Sequence, residues 1–71
     1  MKNLQDFIDE LFDFAMYTFG CWSPDKIPTE RLGIRVYVGD WAEAHNKDYC
    51  WKLTDSELDE VIDAVVDLLL D

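Results

Sequence analysis

The sequence predicts a small α+β domain in the order α-β-(α)-β-α, with a short antiparallel sheet packed against N- and C-terminal acidic helices. Two observations support this. The two ends of the chain carry apolar residues at the helical period, and the middle carries apolar residues at alternate positions. A chain of 71 residues forms one domain, residues 1–71. Its 49% hydrophobic and 14% aromatic content predicts a folded core despite a net charge of -10.

The first predicted helix covers residues 4–19. Asn3 is placed to cap it, Asp6 falls in its first turn, and Gly20 lies just past its end. Its core face repeats at the helical period and is widened by further apolar residues. These are Leu4, Ile8, Leu11, Ala15 and Phe19, with Phe7, Phe12, Phe14 and Met16 beside them.

The segment from Cys21 to Glu30 holds both prolines and has no clear period, so it predicts a loop with one turn starting at Pro24. A strand is then expected from Leu32 to Val38, because Ile34, Val36 and Val38 alternate with Arg35 and Tyr37.

Gly39 and Asp40 should end that strand, and Asp40 with Glu43 predicts a capped short helix through Asn46. Residues Asp48 to Leu53 predict a second strand that pairs with the first. Two strands alone are marginally stable, so helices are expected to pack on one face of the sheet.

The last predicted helix begins at a capping box formed by Thr54 and Glu57. Its apolar stripe repeats at the helical period and is expected to face the core. The stripe consists of Leu58, Val61, Ile62, Val65, Leu68 and Leu69.

The negative charge is concentrated in the two terminal helices. Residues 1–19 carry a net charge of -3, residues 20–53 are neutral, and residues 54–71 carry seven acidic residues and no basic one. The last helix places an acid at every fourth position, with Glu60 on the same side. This acidic ladder consists of Asp55, Asp59, Asp63, Asp67 and Asp71. In the first helix Asp6, Asp9, Glu10 and Asp13 lie opposite the core face.

Stability alone does not explain the ladder. Four consecutive like-charge pairs at i, i+4 spacing cost about 1–2 kcal/mol before salt screening. Solubility is one explanation, because exposed carboxylates are efficient solubilisers. Binding is the other.

A pI near 4.1 argues against nucleic acid or an anionic membrane as partner and favours a basic protein surface. A rigid row of carboxylates can occupy a Lys- and Arg-lined DNA groove in place of phosphates, which predicts a DNA mimic.

The segment from Ile34 to Asn46 (IRVYVGDWAEAHN), followed by Trp51 and by Leu53, Thr54 and Asp55, resembles antirestriction proteins of the ArdA family. The resemblance covers residues 34–55 and implies an acidic DNA mimic that occupies the DNA site of a type I restriction enzyme. Size and acidity are also similar to those of phage-encoded anti-CRISPR proteins. We therefore expect an inhibitor of a bacterial defence complex, with a CRISPR surveillance complex as the first candidate partner and a restriction enzyme as the second.

The main alternative is an interaction module that binds through exposed aromatic residues. Trp22, Trp41, Tyr17 and Phe14 are the candidates. Trp41 and Trp51 are expected in the core of so small a domain, whereas Trp22, in the proline-containing loop, is expected at the surface.

Other classes of function are not predicted. The chain has one histidine, His45, and neither a glycine-rich phosphate loop nor a nucleophile elbow, so no enzyme, cofactor or metal site is expected. Cys21 and Cys50 are expected to be buried reduced thiols, with a disulfide as the alternative. No signal peptide or membrane span is recognised, which favours the bacterial cytoplasm.

Overall fold

The computed structural model describes residues 3–71. Within them the chain forms three α-helices, α1 (Leu4–Gly20), α2 (Arg31–Asp48) and α3 (Asp55–Leu70), and a 3-10 turn at Pro24–Lys26. The described residues contain no strand. The predicted α+β fold is therefore wrong, and the domain is a small helical one.

Helix α1 confirms the predicted helix, although it includes Gly20, which was expected just past its end. The Asn3 side chain accepts a hydrogen bond from the Asp6 backbone N at 2.9 Å and caps the helix. Phe7, Leu11, Ala15 and Phe19 are buried along one face, whereas Phe14 and Met16 are half exposed rather than part of the core. The predicted turn at Pro24 is the 3-10 turn, with proline in its first position.

Helix α2 replaces the predicted first strand and short helix. Ile34, Val38 and Ala42 are buried at i, i+4 and i+8, which is helical spacing. The alternation of apolar residues that predicted a strand included Val36, but Val36 is 64% exposed on the outer side of α2. A continuous helix satisfies its backbone groups within the segment, whereas two short strands leave most of theirs unpaired. Asp40 and Glu43 lie inside α2, so they do not cap a helix start.

A Schellman motif ends α2 and replaces the predicted second strand. The backbone N of Trp51 donates to Asn46 O at 3.1 Å, and that of Cys50 donates to Lys47 O at 3.4 Å. Cys50 has φ 55, the left-handed conformation that this position requires. The Asn46 side chain accepts from Leu53 N at 2.9 Å and so holds the connection that leads into α3.

Helix α3 begins at the predicted capping box. Glu57 N donates to Thr54 Oγ1 at 3.2 Å, and Thr54 N donates to Glu57 Oε1 at 3.0 Å. Val61, Ile62 and Val65 are buried as expected. The stripe differs at two positions, since Val66 is fully buried and Leu68 is 45% exposed.

Cross-helix contacts define the arrangement of the helices. Phe7, early in α1, lies 5.1 Å from the His45 ring late in α2, and Phe19, late in α1, lies 6.2 Å from the Tyr37 ring. Arg31, at the start of α2, pairs with Asp67 late in α3. Helix α2 therefore runs antiparallel to both α1 and α3, giving an up-down-up bundle.

The central core is aliphatic apart from Phe7, and aromatic residues surround it. Trp41 and Trp51, which were predicted in the core, are half-buried and pack against it. Cys21 and Cys50 are free thiols, but both are exposed, so their predicted burial is wrong. None of the helices in residues 3–71 is long and apolar enough to cross a membrane.

Candidate functional site

The acidic residues predicted to bind a partner are exposed without exception. They occupy two helices on different sides of the bundle. Six lie on α3: Asp55, Asp59, Glu60, Asp63, Asp67 and Asp71. Four lie on α1: Asp6, Asp9, Glu10 and Asp13. The two groups differ in what surrounds them.

The acidic ladder of α3 is compensated by arginines of α2. Arg31 forms an ion pair with Asp67, and Arg35 forms one with Asp63. Arg35 Nη2 also lies 3.3 Å from Asp59 Oδ1. Three of the five ladder carboxylates therefore share two guanidinium groups. The repulsion expected within the ladder is offset across the helix interface, and stability accounts for part of the pattern after all.

The ladder is also not one straight edge. With 3.6 residues per turn, a step of four residues advances about 40° around the helix, so Asp55 and Asp71 differ in direction by about 160°. Asp59 and Asp63 point toward α2, where Arg35 reaches them. Glu60 and Asp71 make no ion pair with any described residue.

The acidic face of α1, formed by Asp6, Asp9, Glu10 and Asp13, has no such compensation. No Lys or Arg within the described part of the chain lies within ion-pair distance of these four carboxylates. Gln5 Nε2 donates to Asp9 Oδ1 at 2.9 Å, and His45 Nε2 lies 3.0 Å from Glu10 Oε2. Among the described residues, the α1 acidic face is therefore a dense group of carboxylates with no Lys or Arg partner, and His45 is the basic side chain beside it.

Aromatic side chains adjoin this face toward the C-terminal end of α1. Tyr17 is 68% exposed and Phe14 is 50% exposed. Phe14 packs edge-on against Trp41, with ring centroids 5.6 Å apart. Trp22 and Trp41 are half-buried in a cluster with Phe19, so Trp22 is less exposed than predicted. The aromatic surface of the alternative hypothesis thus exists and borders the acidic one.

A groove of about 490 Å³ opens between α1 and the C-terminal end of α2. Glu10 and Asp13 line it from α1, and Asp48 lines it from α2. Phe14, Trp41 and Tyr49 supply its aromatic walls. This groove joins the α1 acidic face to the aromatic surface, and sequence reasoning missed it because it depends on how α2 ends against α1.

Arg31 and Arg35 were also missed as partners of the ladder. Their spacing of four residues matches the spacing of the aspartates that they contact. A helical interpretation of residues 31–48 would have shown that match. No cluster of three or more His, Cys, Asp or Glu suited to a metal ion occurs among the described residues.

Neither a protein-family model, nor a curated protein, nor a solved structure matches this chain.

Proposed function

We propose that the protein inhibits a bacterial defence complex by presenting acidic helix faces to a basic DNA-binding surface in place of DNA. It acts as a binding protein rather than an enzyme, in the cytoplasm of the bacterial host. A CRISPR surveillance complex is the first candidate target, and a type I restriction enzyme is the second. The partner contributes Lys and Arg, and no nucleic acid, membrane or cofactor takes part in the contact.

The α1 acidic face, which has no Lys or Arg partner among the described residues, carries this proposal. Asp6 and Asp13 are seven residues apart, so four carboxylates fall within about 10 Å of helix axis, one per ~3.5 Å. A DNA strand presents one phosphate per ~3.4 Å of axis. The charge density of the face is thus close to that of one strand, and charge-assisted bonds from Arg and Lys fit it.

The α3 carboxylates contribute less directly. The ladder places an acid about every 6 Å, and two arginines pair with three of its five carboxylates and offset two of its five charges. Glu60 and Asp71 extend the negative field beyond α1 and favour fast association with a basic partner. The α1 face makes the primary contact in this proposal, with α3 in support.

The resemblance of residues 34–55 to antirestriction proteins and the similarity in size and acidity to anti-CRISPR proteins supply the candidate targets, whereas the α1 acidic face supports the mode of contact. Within the resembling segment, the strand predicted through Val38 lies in α2 and is helical. In this proposal the protein and the antirestriction proteins share a mode of action, in which an acidic surface excludes DNA.

The experiment is a DNA-displacement assay. Purified CRISPR surveillance complexes and type I restriction enzymes are mixed with labelled target DNA, and the protein is titrated in at low and at moderately high salt. At least one complex should release its DNA, with inhibition weakening steeply as salt rises because the contact is electrostatic. Release from none of the complexes, or inhibition that does not depend on salt, would contradict the proposal.

The exposed aromatic residues favour a second candidate, an interaction module. Tyr17 and Phe14 present large rings to solvent beside the acidic face. Salt-independent inhibition that is lost in a Phe14→Ser/Tyr17→Ser variant would select this candidate over the mimic.

A further inference from the structure

We infer that the groove between α1 and α2 accepts an arginine side chain of the basic partner. This inference rests on the proposed function and deepens it, because it names the partner group and the place where that group docks. Its basis is the combination of three carboxylates with exposed aromatic rings in one concave surface.

The groove is negative on both sides. Glu10 and Asp13 come from adjacent turns of α1, and Asp48 comes from the last turn of α2. His45 of α2 also lines the groove. Its Nε2 lies 3.0 Å from Glu10 Oε2, and its side chain is 16% exposed. Three carboxylates in one groove exclude a phosphate or an acidic peptide and attract a cation.

The walls of the groove are aromatic and partly open to solvent. Tyr49 is 62% exposed and rests on the His45 ring, with centroids 4.5 Å apart. Phe14 is 50% exposed and is held in place by its edge-on contact with Trp41. Rings fixed in this way present their faces at little conformational cost to an incoming group.

Solubility explains surface carboxylates, but it does not explain exposed rings among them. A cation–π contact combined with a carboxylate contact uses both features. Arginine fits this combination better than lysine. Its planar guanidinium stacks on an aromatic ring while its N–H groups still donate, in the plane of the guanidinium, to a carboxylate, whereas the lysine ammonium is a strongly hydrated point charge.

The chain offers an exposed carboxylate and an exposed ring that do not line the groove. Asp25 lies in the 3-10 turn beyond the C-terminal end of α1 and is not one of the groove residues. Tyr17 is exposed on α1 but does not line the groove. The chain thus supplies matched controls outside the groove for both the charge and the aromatic ring.

The test uses fluorescently labelled hexa-arginine and hexa-lysine peptides as probes, with binding followed by fluorescence polarisation and by amide and indole NMR shifts of the protein. Hexa-arginine should bind more tightly than hexa-lysine and should shift the Trp41 indole and the amides near His45. Phe14→Ala should weaken hexa-arginine binding by about two- to fivefold, the loss expected for one exposed cation–π contact. Asp13→Asn should weaken it by a similar factor.

The controls are Tyr17→Ala and Asp25→Asn, each expected to change hexa-arginine affinity by less than about twofold at physiological salt. Far-UV circular dichroism checks that each variant folds. Equal binding of the two peptides, or equal losses in groove and control variants, would overturn the inference and leave only diffuse electrostatic attraction.

The outcomes also separate this inference from the proposed function. DNA displacement that is lost when the α1 acidic face is changed, but is no more affected by Phe14→Ala than by Tyr17→Ala, keeps the mimic and rejects the arginine groove. Selective hexa-arginine binding at the groove, with no defence complex inhibited, keeps the groove and rejects the mimic.

Discussion

Replacing Gly39 with alanine tests the helical assignment of residues 31–48, on which the paired arginines and the groove both depend. Gly39 lies in the middle of α2, and neither it nor the other glycines have positive φ. A Cβ added there would meet Ile62 Cδ1 at 3.9 Å, an ordinary van der Waals contact. The substitution therefore keeps the backbone and removes the cost of glycine inside a helix.

The expected gain follows from helix propensity. Alanine is more favourable than glycine in a helix interior by about 0.8–1 kcal/mol. For a domain of this size that gain raises Tm by about 4–8 °C. Thermal and urea unfolding followed by far-UV circular dichroism measure both quantities.

Gly33→Ala is the matched control in the same helix. A Cβ at Gly33 would lie 3.0 Å from the Pro28 Cβ, so the neighbouring loop must shift to admit it. Overpacking of this kind costs about 1–3 kcal/mol, which cancels or exceeds the propensity gain. We expect Gly33→Ala to leave stability unchanged or to lower it. A stability loss in Gly39→Ala, which is the result expected if Gly39 ended a strand, would refute the helical assignment.

Three further substitutions test individual contacts by urea unfolding. Cys50→Gly should stabilise the protein by about 1 kcal/mol, because Cys50 holds the left-handed position of the Schellman motif, and Cys50→Ala should bring no such gain. Arg35→Gln should destabilise by about 0.2–1 kcal/mol, more at low salt than at high salt, and no loss at low salt would argue against its ion pairs with α3. Thr54→Ala should destabilise by about 1 kcal/mol through loss of the capping box, whereas Ser should substitute with little effect.

The terminal helices were predictable because local signals and burial agree in them. Asn3 caps α1, and Thr54 with Glu57 caps α3, as their side-chain chemistry indicates. Helix α2 was not predicted because β-branched residues at Ile34, Val36 and Val38 favour a strand locally. The tertiary structure overrides that preference, since Ile34, Val38 and Ala42 pack into the core at helical spacing.

The candidate site was predictable as a set of exposed acids but not as a surface. Charge counting assigned the greatest weight to the α3 ladder, where cross-helix pairs with Arg31 and Arg35 offset much of the charge. Such pairs depend on which helices are neighbours. Because residues 32–38 were predicted as a strand, the pairing of Arg31 and Arg35 with α3 was not predicted. For the same reason, the approach of Asp48 and Tyr49 to α1 was not visible in the sequence.

We propose that the α1 acidic face, rather than the α3 ladder, makes the primary contact with the partner. Two variants of equal charge change test it in the DNA-displacement assay. Asp6, Asp9 and Asp13 are changed together to Asn in one, and Asp59, Asp63 and Asp67 in the other. The α1 variant should need at least about tenfold more protein for half-displacement, the loss expected when three charge contacts of about 0.5 kcal/mol each are removed.

The α3 variant should stay within about threefold of the unmodified protein, because the three carboxylates it changes are already paired with two arginines. Circular dichroism and urea unfolding establish that both variants are folded at the assay temperature. The reverse result, in which displacement survives the α1 substitutions and is lost with the α3 substitutions, would contradict the claim and assign the contact to the ladder.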